Sequence, residues 1–297
     1  MEEFLGKNLI IMACSKCNIN CKHCYVSYKG NRSPGELLQL VTGLSKKYNI
    51  ILNGAEILTD INYLKSFEYI NQNYFMSNGV AIYNNPEILD TIISYGITSI
   101  SLSYHFGIQD DISVMTPEKI EKVINLILQK GLQVRLLTTI TSHNYDKITK
   151  MCKKAEQLGA RGIKFTNFIL QGNATNMDAM NVLTDNEKYE FFRQLDMARN
   201  LYDKNNLIIE RCGTFGVDLY NKKNNFRCDA INNTVVLTPD NNIYPCIFLA
   251  KPGYEIGKFE DGKIFINDKT ENLGNICYAD DLCNVKSYAN LKKKCNN

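Results

Sequence analysis

The sequence predicts an α/β fold in which a parallel sheet curls into a full or partial barrel, followed by a smaller second module. Two observations predict it. Across the first two-thirds of the 297 residues, six strand-like segments alternate with helix-like segments, a pattern typical of parallel strands joined by helical crossovers. After about residue 205, helical periodicity fades and cysteines accumulate. We therefore predict two domains, residues 1–205 and 206–297.

The elements of the first domain follow one another regularly. Strand candidates are short apolar runs bounded by turn residues. Helix candidates have apolar residues at helical spacing and begin or end at capping residues. The predicted strands are residues 7–13, 49–53, 74–77, 97–103, 132–139 and 162–168, and the predicted helices are one that begins at residue 34 and residues 61–70, 86–94, 116–130, 145–158 and 184–203.

Two helix starts have a complete capping signature. Ser33 precedes Pro34 and is followed three residues later by Glu36, and Thr184 is followed three residues later by Glu187. A hydroxyl at the N-cap and a carboxylate three residues on satisfy each other's backbone N–H groups. In the second domain, residues 234–238 and 243–246 flank a turn sequence, which predicts a β-hairpin.

Composition argues against two classes of function. The formal net charge is only +3, and the one basic cluster, residues 292–294, is short, so we expect no nucleic-acid partner. No apolar run reaches membrane-spanning length, so we expect no membrane partner. The first residues lack the basic and apolar regions of a signal peptide, which predicts a cytoplasmic protein.

The cysteine content indicates a metalloprotein. In a reducing compartment disulfides are rare, so clustered cysteines favour metal binding or catalysis. We expect Cys14 and Cys152 to be small core residues. The 11 cysteines are residues 14, 17, 21, 24, 152, 212, 228, 246, 277, 283 and 295.

The strongest motif is a CxxxCxxC loop directly after the first predicted strand. It contains Cys17, Cys21 and Cys24. Three thiolates at this spacing can hold three corners of a cubane cluster and leave the fourth iron open to a small ligand. A structural zinc site is the alternative, but it requires four ligands, and His23 is the one further candidate nearby.

This loop resembles the signature of the radical S-adenosylmethionine (SAM) superfamily, a CxxxCx-aromatic-C motif after strand one of a partial (β/α)6 TIM-like barrel. The resemblance implies that Cys17, Cys21 and Cys24 hold a [4Fe–4S] cluster, and that SAM binds its open iron. It also implies that His23, at the aromatic position, lies near the adenine. An electron donor such as flavodoxin or ferredoxin would then be a partner.

Further stretches resemble the superfamily in the same order. The Gly-Gly-Glu-Pro stretch after strand two corresponds here to Gly54-Ala55-Glu56-Ile57. The resemblance implies that Gly54, Ala55 and Glu56 receive the SAM ammonium. Ser77-Asn78-Gly79 resembles the Thr-Asn-Gly that ends strand three, and residues 99–103 resemble the strand-four segment that meets the ribose or carboxylate. The alternative for each polar residue is an ordinary turn or cap.

The SAM-contacting residues implied by these stretches come from three strand ends. They are Ser77 at strand three, Ser101 and Ser103 at strand four, and Leu170 within residues 167–174, which resemble the exit of strand six beside the adenine.

The second module resembles the SPASM and twitch domains, C-terminal extensions that bind auxiliary [4Fe–4S] clusters. Cys228, Asn241 and Cys246 match their C-x(9–15)-G-x4-C pattern, with Asn in place of Gly. The resemblance implies a twitch-type domain with one auxiliary cluster on Cys228, Cys246, Cys277 and Cys283. Cys212 or Cys295 could replace a ligand, and a zinc site of four thiolates is the alternative.

The implied reaction is reductive cleavage of SAM to a 5′-deoxyadenosyl radical, which then abstracts a hydrogen atom from the substrate. SPASM and twitch relatives include many peptide maturases, so we expect an oxidoreductase that crosslinks or epimerises a ribosomally synthesised peptide. In an epimerase, Cys212 could donate the second hydrogen atom. One alternative is a radical SAM dehydrogenase or other enzyme acting on a small metabolite. The other is an iron–sulfur electron-transfer protein.

Overall fold

A computed structural model describes residues 2–178, 181–202, 206–212, 215 and 230–267. These residues divide into two compact units. The first contains residues 2–18, 26–100 and 230–267, and the second contains residues 19–25, 101–178, 181–202, 206–212 and 215. These bounds differ from the division predicted between residues 205 and 206, which stays a prediction.

The chain is a mixed α/β fold with parallel strands, as predicted. The strands are β1 Glu2–Glu3, β2 Asn8–Met12, β3 Asn49–Asn53, β4 Tyr74–Ser77, β5 Ser99–Ser103, β6 Gln133–Ile140, β7 Gly162–Asn167, β8 Ile208–Arg211, β9 Thr234–Leu237, β10 Asn242–Tyr244, β11 Gly257–Glu260 and β12 Lys263–Ile266. The α-helices are α1 Pro34–Leu44, α2 Val80–Asn84, α3 Ile88–Ser94, α4 Gln109–Ile112, α5 Pro117–Gln129, α6 Ile148–Gln157 and α7 Asp185–Leu201. None of the described helices is long and apolar enough to cross a bilayer.

The first unit contains a seven-stranded sheet in the order β1-β12-β11-β10-β9-β2-β3. Strand β2 runs parallel to β3 on one side and to β9 on the other, so that Ile11 lies between Leu52 and Leu237. The hairpin predicted from its turn sequence is confirmed, because β9 and β10 pair antiparallel. The sheet therefore joins strands from both ends of the described chain.

A glutamine side chain links β3 to β4 in the first unit. The buried amide of Gln72 accepts a 2.6 Å hydrogen bond from the backbone N–H of Leu52 and donates to its carbonyl at 3.1 Å. The same Nε2 atom donates to the carbonyl of Tyr74 at 2.7 Å. The Gln72 side chain thus replaces a backbone ladder at this point and satisfies buried polar groups.

In the second unit the strands follow one another in the order β5-β6-β7-β8. Strand β7 is parallel to both β6 and β8, and its alternate residues Ile163 and Phe165 are buried. Phe191 of α7 packs edge-to-face on Phe165, with ring centroids 6.1 Å apart. The helix therefore covers the sheet as expected of a crossover α/β fold.

One predicted helix is wrong in type. Residues Ile61–Tyr69 form a 3-10 helix rather than an α-helix. Asp60 caps it through the N–H of Asn62, two residues on, and bonds between residues three apart follow. The buried residues Tyr63, Leu64 and Phe67 have a spacing that suits either helix type, so the sequence pattern could not distinguish them. The elements β1, α2, α4, β11 and β12 were not predicted.

Candidate metal centre

The cysteine loop begins at the end of β2, where its two ends are held together in the first unit. Cys14 and Asn31 form an isolated antiparallel bridge, and the N–H of Ser15 donates to the carbonyl of Gly30. The Tyr28 hydroxyl donates to the Cys14 carbonyl at 3.0 Å. Cys14 itself is fully buried, which confirms it as a core residue, and Cys152 in α6 is equally buried.

The Gly54-Ala55 step lies directly against the base of this loop. The N–H of Ala55 donates to the carbonyl of Cys14 at 2.9 Å. A Cβ atom added at Gly54 would come within 2.9 Å of the Cys14 sulfur. The glycine is therefore needed for the close approach of the turn after β3 to the loop.

Glu56 is a buried carboxylate with three donors in the first unit. Its Oε1 atom accepts from the N–H of Leu58 at 3.1 Å, and Oε2 accepts from the N–H of Asn78 at 2.7 Å and the hydroxyl of Ser77 at 3.2 Å. Only 1% of the residue is exposed. Burial raises the pKa of Glu56 to about 7, although the three hydrogen bonds oppose that shift.

The end of β4 reaches the first cysteine of the motif. The Nδ2 atom of Asn78 lies 2.7 Å from Oδ1 of Asn18 and 3.5 Å from the sulfur of Cys17. The sequence motif indicated a strand end at Asn78 but assigned it no contact. The first unit thus brings together Cys17, Gly54, Ala55, Glu56 and Ser77.

The second unit holds the other two cysteines of the motif by their backbone. The N–H of Cys24 donates to the carbonyl of Cys21 at 3.3 Å. Asn173 Nδ2 donates to the carbonyl of Cys21 at 3.1 Å. The N–H of Ala174 donates to the carbonyl of Cys24. The N–H of Lys22 donates to the carbonyl of Ile112. The side chain of Asn173 and the backbone N–H of Ala174, both after β7, therefore hold the cysteine turn by hydrogen bonds.

His23 packs edge-on against a second histidine in the same unit. The ring of His105 meets the ring of His23 edge-on, with centroids 4.4 Å apart. Burial lowers the pKa of His23 to about 4 and that of His105 well below its usual range. His105 is only 5% exposed and accepts a hydrogen bond from the N–H of Thr139 at Nδ1, so it is a buried histidine just after β5.

Two side chains within or beside the cysteine turn of the second unit each have a buried polar atom without a hydrogen-bond partner among the described residues. They are His23, through Nδ1, and Gln171, through Oε1. The other end of the Gln171 amide donates to the carbonyl of Tyr25, so it is anchored beside the cysteine turn. Buried polar groups without partners carry a free-energy cost unless a ligand or water satisfies them. This pair therefore fits a polar ligand such as SAM.

The remaining residues predicted to contact SAM are Ser101, Ser103 and Leu170, which lie in the second unit. Ser101 is buried within β5, and Ser103 at its end is half-buried. Leu170 is buried in a cluster with Phe168, Ala174 and Val182. Their contact with SAM stays a prediction.

The three motif cysteines suit an iron–sulfur cluster. Cys17, Cys21 and Cys24 are half-buried, and none of them forms a disulfide with another described residue. Within the described ranges, no three His, Cys, Asp or Glu side chains converge as ligands of a single metal ion. A cubane cluster does not require the three thiolates to converge on one metal ion, because each thiolate binds a separate iron.

The C-terminal cysteines are described only in part. Cys246 is half-buried and follows β10, where Tyr244 packs in a core cluster with Met12 and Tyr28. Cys212 follows β8, is half-buried, and donates its N–H to the carbonyl of Phe165 at 2.8 Å. The predicted ligands Cys228, Cys277 and Cys283, and the possible ligand Cys295, lie outside the described residues.

No protein-family model matches the chain. The antilisterial bacteriocin subtilosin biosynthesis protein AlbA of Bacillus subtilis is 23% identical over 278 residues. That match covers 88% of this chain and 57% of AlbA. An uncharacterised protein of Methanocaldococcus jannaschii is 24% identical over 176 residues, covering 54% of this chain and 62% of that protein. The chain spans about three-fifths of the length of these relatives.

Solved structures share the fold. SuiB of Streptococcus suis, bound to its precursor peptide SuiA, superposes with a TM-score of 0.67 at 12% identity, over 84% of this chain and 61% of SuiB. SuiB has also been solved bound to S-adenosylmethionine. The enzyme anSMEcpe with bound AdoMet gives a TM-score of 0.60 at 17% identity, over 86% of this chain and 78% of that enzyme. These structural neighbours are radical SAM enzymes.

Proposed function

We propose that this protein is a radical SAM enzyme that modifies a ribosomally synthesised peptide by crosslinking or epimerisation. The observation that carries the proposal is the CxxxCxxC loop at the end of β2, whose three cysteines are half-buried and outside any disulfide among the described residues, in a fold shared with SuiB and anSMEcpe. Sequence similarity to AlbA along most of the chain supports the same proposed function.

Cys17, Cys21 and Cys24 would hold the [4Fe–4S] cluster. Neighbouring cysteines of the motif are at most four residues apart, so each adjacent pair lies within about 14 Å even when the chain is fully extended. Three protein ligands leave one iron open for SAM. When bound, the cluster and SAM supply reductive cleavage of the sulfonium to a 5′-deoxyadenosyl radical.

The protein's own residues would bind and orient SAM. The unpartnered His23 Nδ1 and Gln171 Oε1 offer hydrogen-bonding atoms beside the cysteine turn. Glu56 would receive the ammonium, through the lone pair that remains on Oε1 after the Leu58 contact. Further contacts would come from Gly54, Ala55, Ser77, Ser101, Ser103 and Leu170.

An auxiliary [4Fe–4S] cluster would be held in a twitch-type domain by Cys228, Cys246, Cys277 and Cys283. Support comes from the confirmed β9–β10 hairpin between the first two of these cysteines and from the left-handed backbone of Asn241, with φ of 66°, where the motif usually has glycine. The (β/α)6 partial barrel and an external electron donor belong to the same proposal.

A peptide substrate is supported by the relatives. SuiB binds the precursor peptide SuiA, anSMEcpe has been solved with a bound peptide, and AlbA is named for biosynthesis of subtilosin. The substrate class can be tested with a short peptide encoded beside the gene, synthesised with deuterium on its α-carbons. After reduction with SAM present, we expect deuterium in 5′-deoxyadenosine and a mass change in the peptide. SAM cleavage without either signal would favour a small-metabolite substrate.

A further inference from the structure

The amide of Asn78 is aimed at the first cysteine of the motif. Its Nδ2 atom lies 3.5 Å from the sulfur of Cys17, within hydrogen-bond distance for sulfur. The same nitrogen donates to Oδ1 of Asn18 at 2.7 Å. A primary amide has two N–H donors, so both contacts can form at once.

The orientation of this amide is fixed by the following turn. Oδ1 of Asn78 accepts a 3.0 Å hydrogen bond from the N–H of Val80, the first residue of α2. Gly79 between them has φ of 85°, in the left-handed region that glycine adopts without strain. Because the oxygen is engaged by a backbone donor, the nitrogen must face Cys17.

The backbone of Asn78 is held by Glu56. The Asn78 N–H donates to Oε2 at 2.7 Å, and Ser77 donates its hydroxyl to the same oxygen at 3.2 Å. That hydroxyl also accepts from the N–H of Gly79 at 3.0 Å. Glu56 is thus a buried anchor for the residue that touches Cys17, in addition to any contact with SAM.

We propose that Asn78 donates a hydrogen bond to the Cys17 sulfur and so raises the reduction potential of the SAM-binding cluster, with Glu56 as the positioning residue. The proposal rests on the proposed function, because Cys17 must be a cluster ligand. A donor at a cluster sulfur withdraws electron density, which makes addition of an electron less unfavourable. Hydrogen bonds to charged acceptors are stronger than those between neutral groups.

Two substitutions at Asn78 remove the hydrogen bond to Cys17 and keep the acceptor for the N–H of Val80. Asn78→Ser keeps an oxygen that can accept from Val80 but is too short to reach Cys17. Asn78→Asp keeps the shape and the Val80 acceptor, replaces the donor by an acceptor and adds a negative charge. Asn49→Asp is the matched control, since Asn49 donates its amide to another asparagine, Asn8, at the far end of β3.

The measurement is an EPR-monitored redox titration of reconstituted protein, following the signal that changes when SAM is added. We expect iron content to match the wild type in all variants. At the wild-type midpoint, the reduced-to-oxidised ratio should fall about tenfold in Asn78→Asp, a shift of about 59 mV for one electron. Asn78→Ser should shift the midpoint in the same direction by less, and Asn49→Asp should not shift it.

An unchanged midpoint in Asn78→Ser, with a cluster that still responds to SAM, would overturn the inference and leave the proposed function intact. A midpoint shift in Asn49→Asp as large as in Asn78→Asp would also overturn the inference. The shift would then come from an added negative charge anywhere in the protein and not from the hydrogen bond to Cys17. A wild type without any SAM-responsive cluster would instead contradict the proposed function.

Discussion

Glu56 accepts a 2.7 Å hydrogen bond from the backbone N–H of Asn78 and thereby ties the turn after β3 to the end of β4. The carboxylate is almost completely buried and has no cationic partner among its hydrogen bonds, which are three neutral donors. A buried carboxyl in this setting resists ionisation.

Glu56 should titrate near neutrality. Burial raises its pKa from 4.5 to about 7, so the folded protein binds more protons than the unfolded chain between these values. The contribution of Glu56 to stability should therefore be greatest below pH 4.5 and decline as the pH rises to about 7. Infrared difference spectra between wild type and Glu56→Gln should show a protonated carboxyl band at pH 5 that disappears above pH 8. A band already absent at pH 5.5 would contradict the raised pKa.

Gly54→Ala should destabilise the protein through one contact. The added methyl would meet the Cys14 sulfur at 2.9 Å, and overpacking of this kind costs about 1–3 kcal/mol. Shortening the opposing side chain should relieve the clash, so Gly54→Ala should cost less in a Cys14→Ala background. Thermal unfolding of the four proteins in this double-mutant cycle measures the coupling. Additive effects would show that Cys14 is not the obstacle.

Many of the helix starts and strand bounds could be predicted from local sequence signals. The capping boxes at Ser33 and Thr184 are both present, and β3 and β4 have the predicted bounds. Each signal depends on residues within a few positions of one another. The pairing of β9 with β2 could not be predicted in this way, because it joins segments more than 200 residues apart.

The same limit applies to the site. The cysteine spacing and the position of Glu56 are visible in the sequence, but the amide contact between Asn78 and Cys17 depends on two loops meeting. The burial of His105 under His23 is another long-range result. A histidine at a strand end shows no periodic signal that would distinguish a buried ring from an exposed one.

Iron content should report the two proposed clusters separately. Anaerobically reconstituted wild type should bind about eight irons per chain, and replacing Cys17, Cys21 and Cys24 together by Ala should leave about four. Iron and zinc analysis of the purified proteins checks this. Four irons and one zinc in the wild type would contradict the auxiliary cluster and indicate a zinc site in its place.

Cys212→Ala should separate three roles for that thiol. If Cys212 is the hydrogen-atom donor of an epimerase, the variant should keep its iron, still cleave SAM, and lose the inverted peptide product. Chiral amino-acid analysis of the peptide and iron analysis measure these effects. Loss of iron would make Cys212 a ligand, and full epimerisation would exclude the donor role.

Reductive cleavage of SAM tests the central claim most directly. Reconstituted wild type with dithionite should convert SAM to 5′-deoxyadenosine and methionine, as quantified by liquid chromatography. Cys17→Ala, Cys21→Ala and Cys24→Ala should each abolish the product, whereas Cys152→Ala, which removes a buried cysteine in α6, should retain it. Wild-type protein with its clusters loaded and reduced that forms no 5′-deoxyadenosine would contradict a radical SAM enzyme.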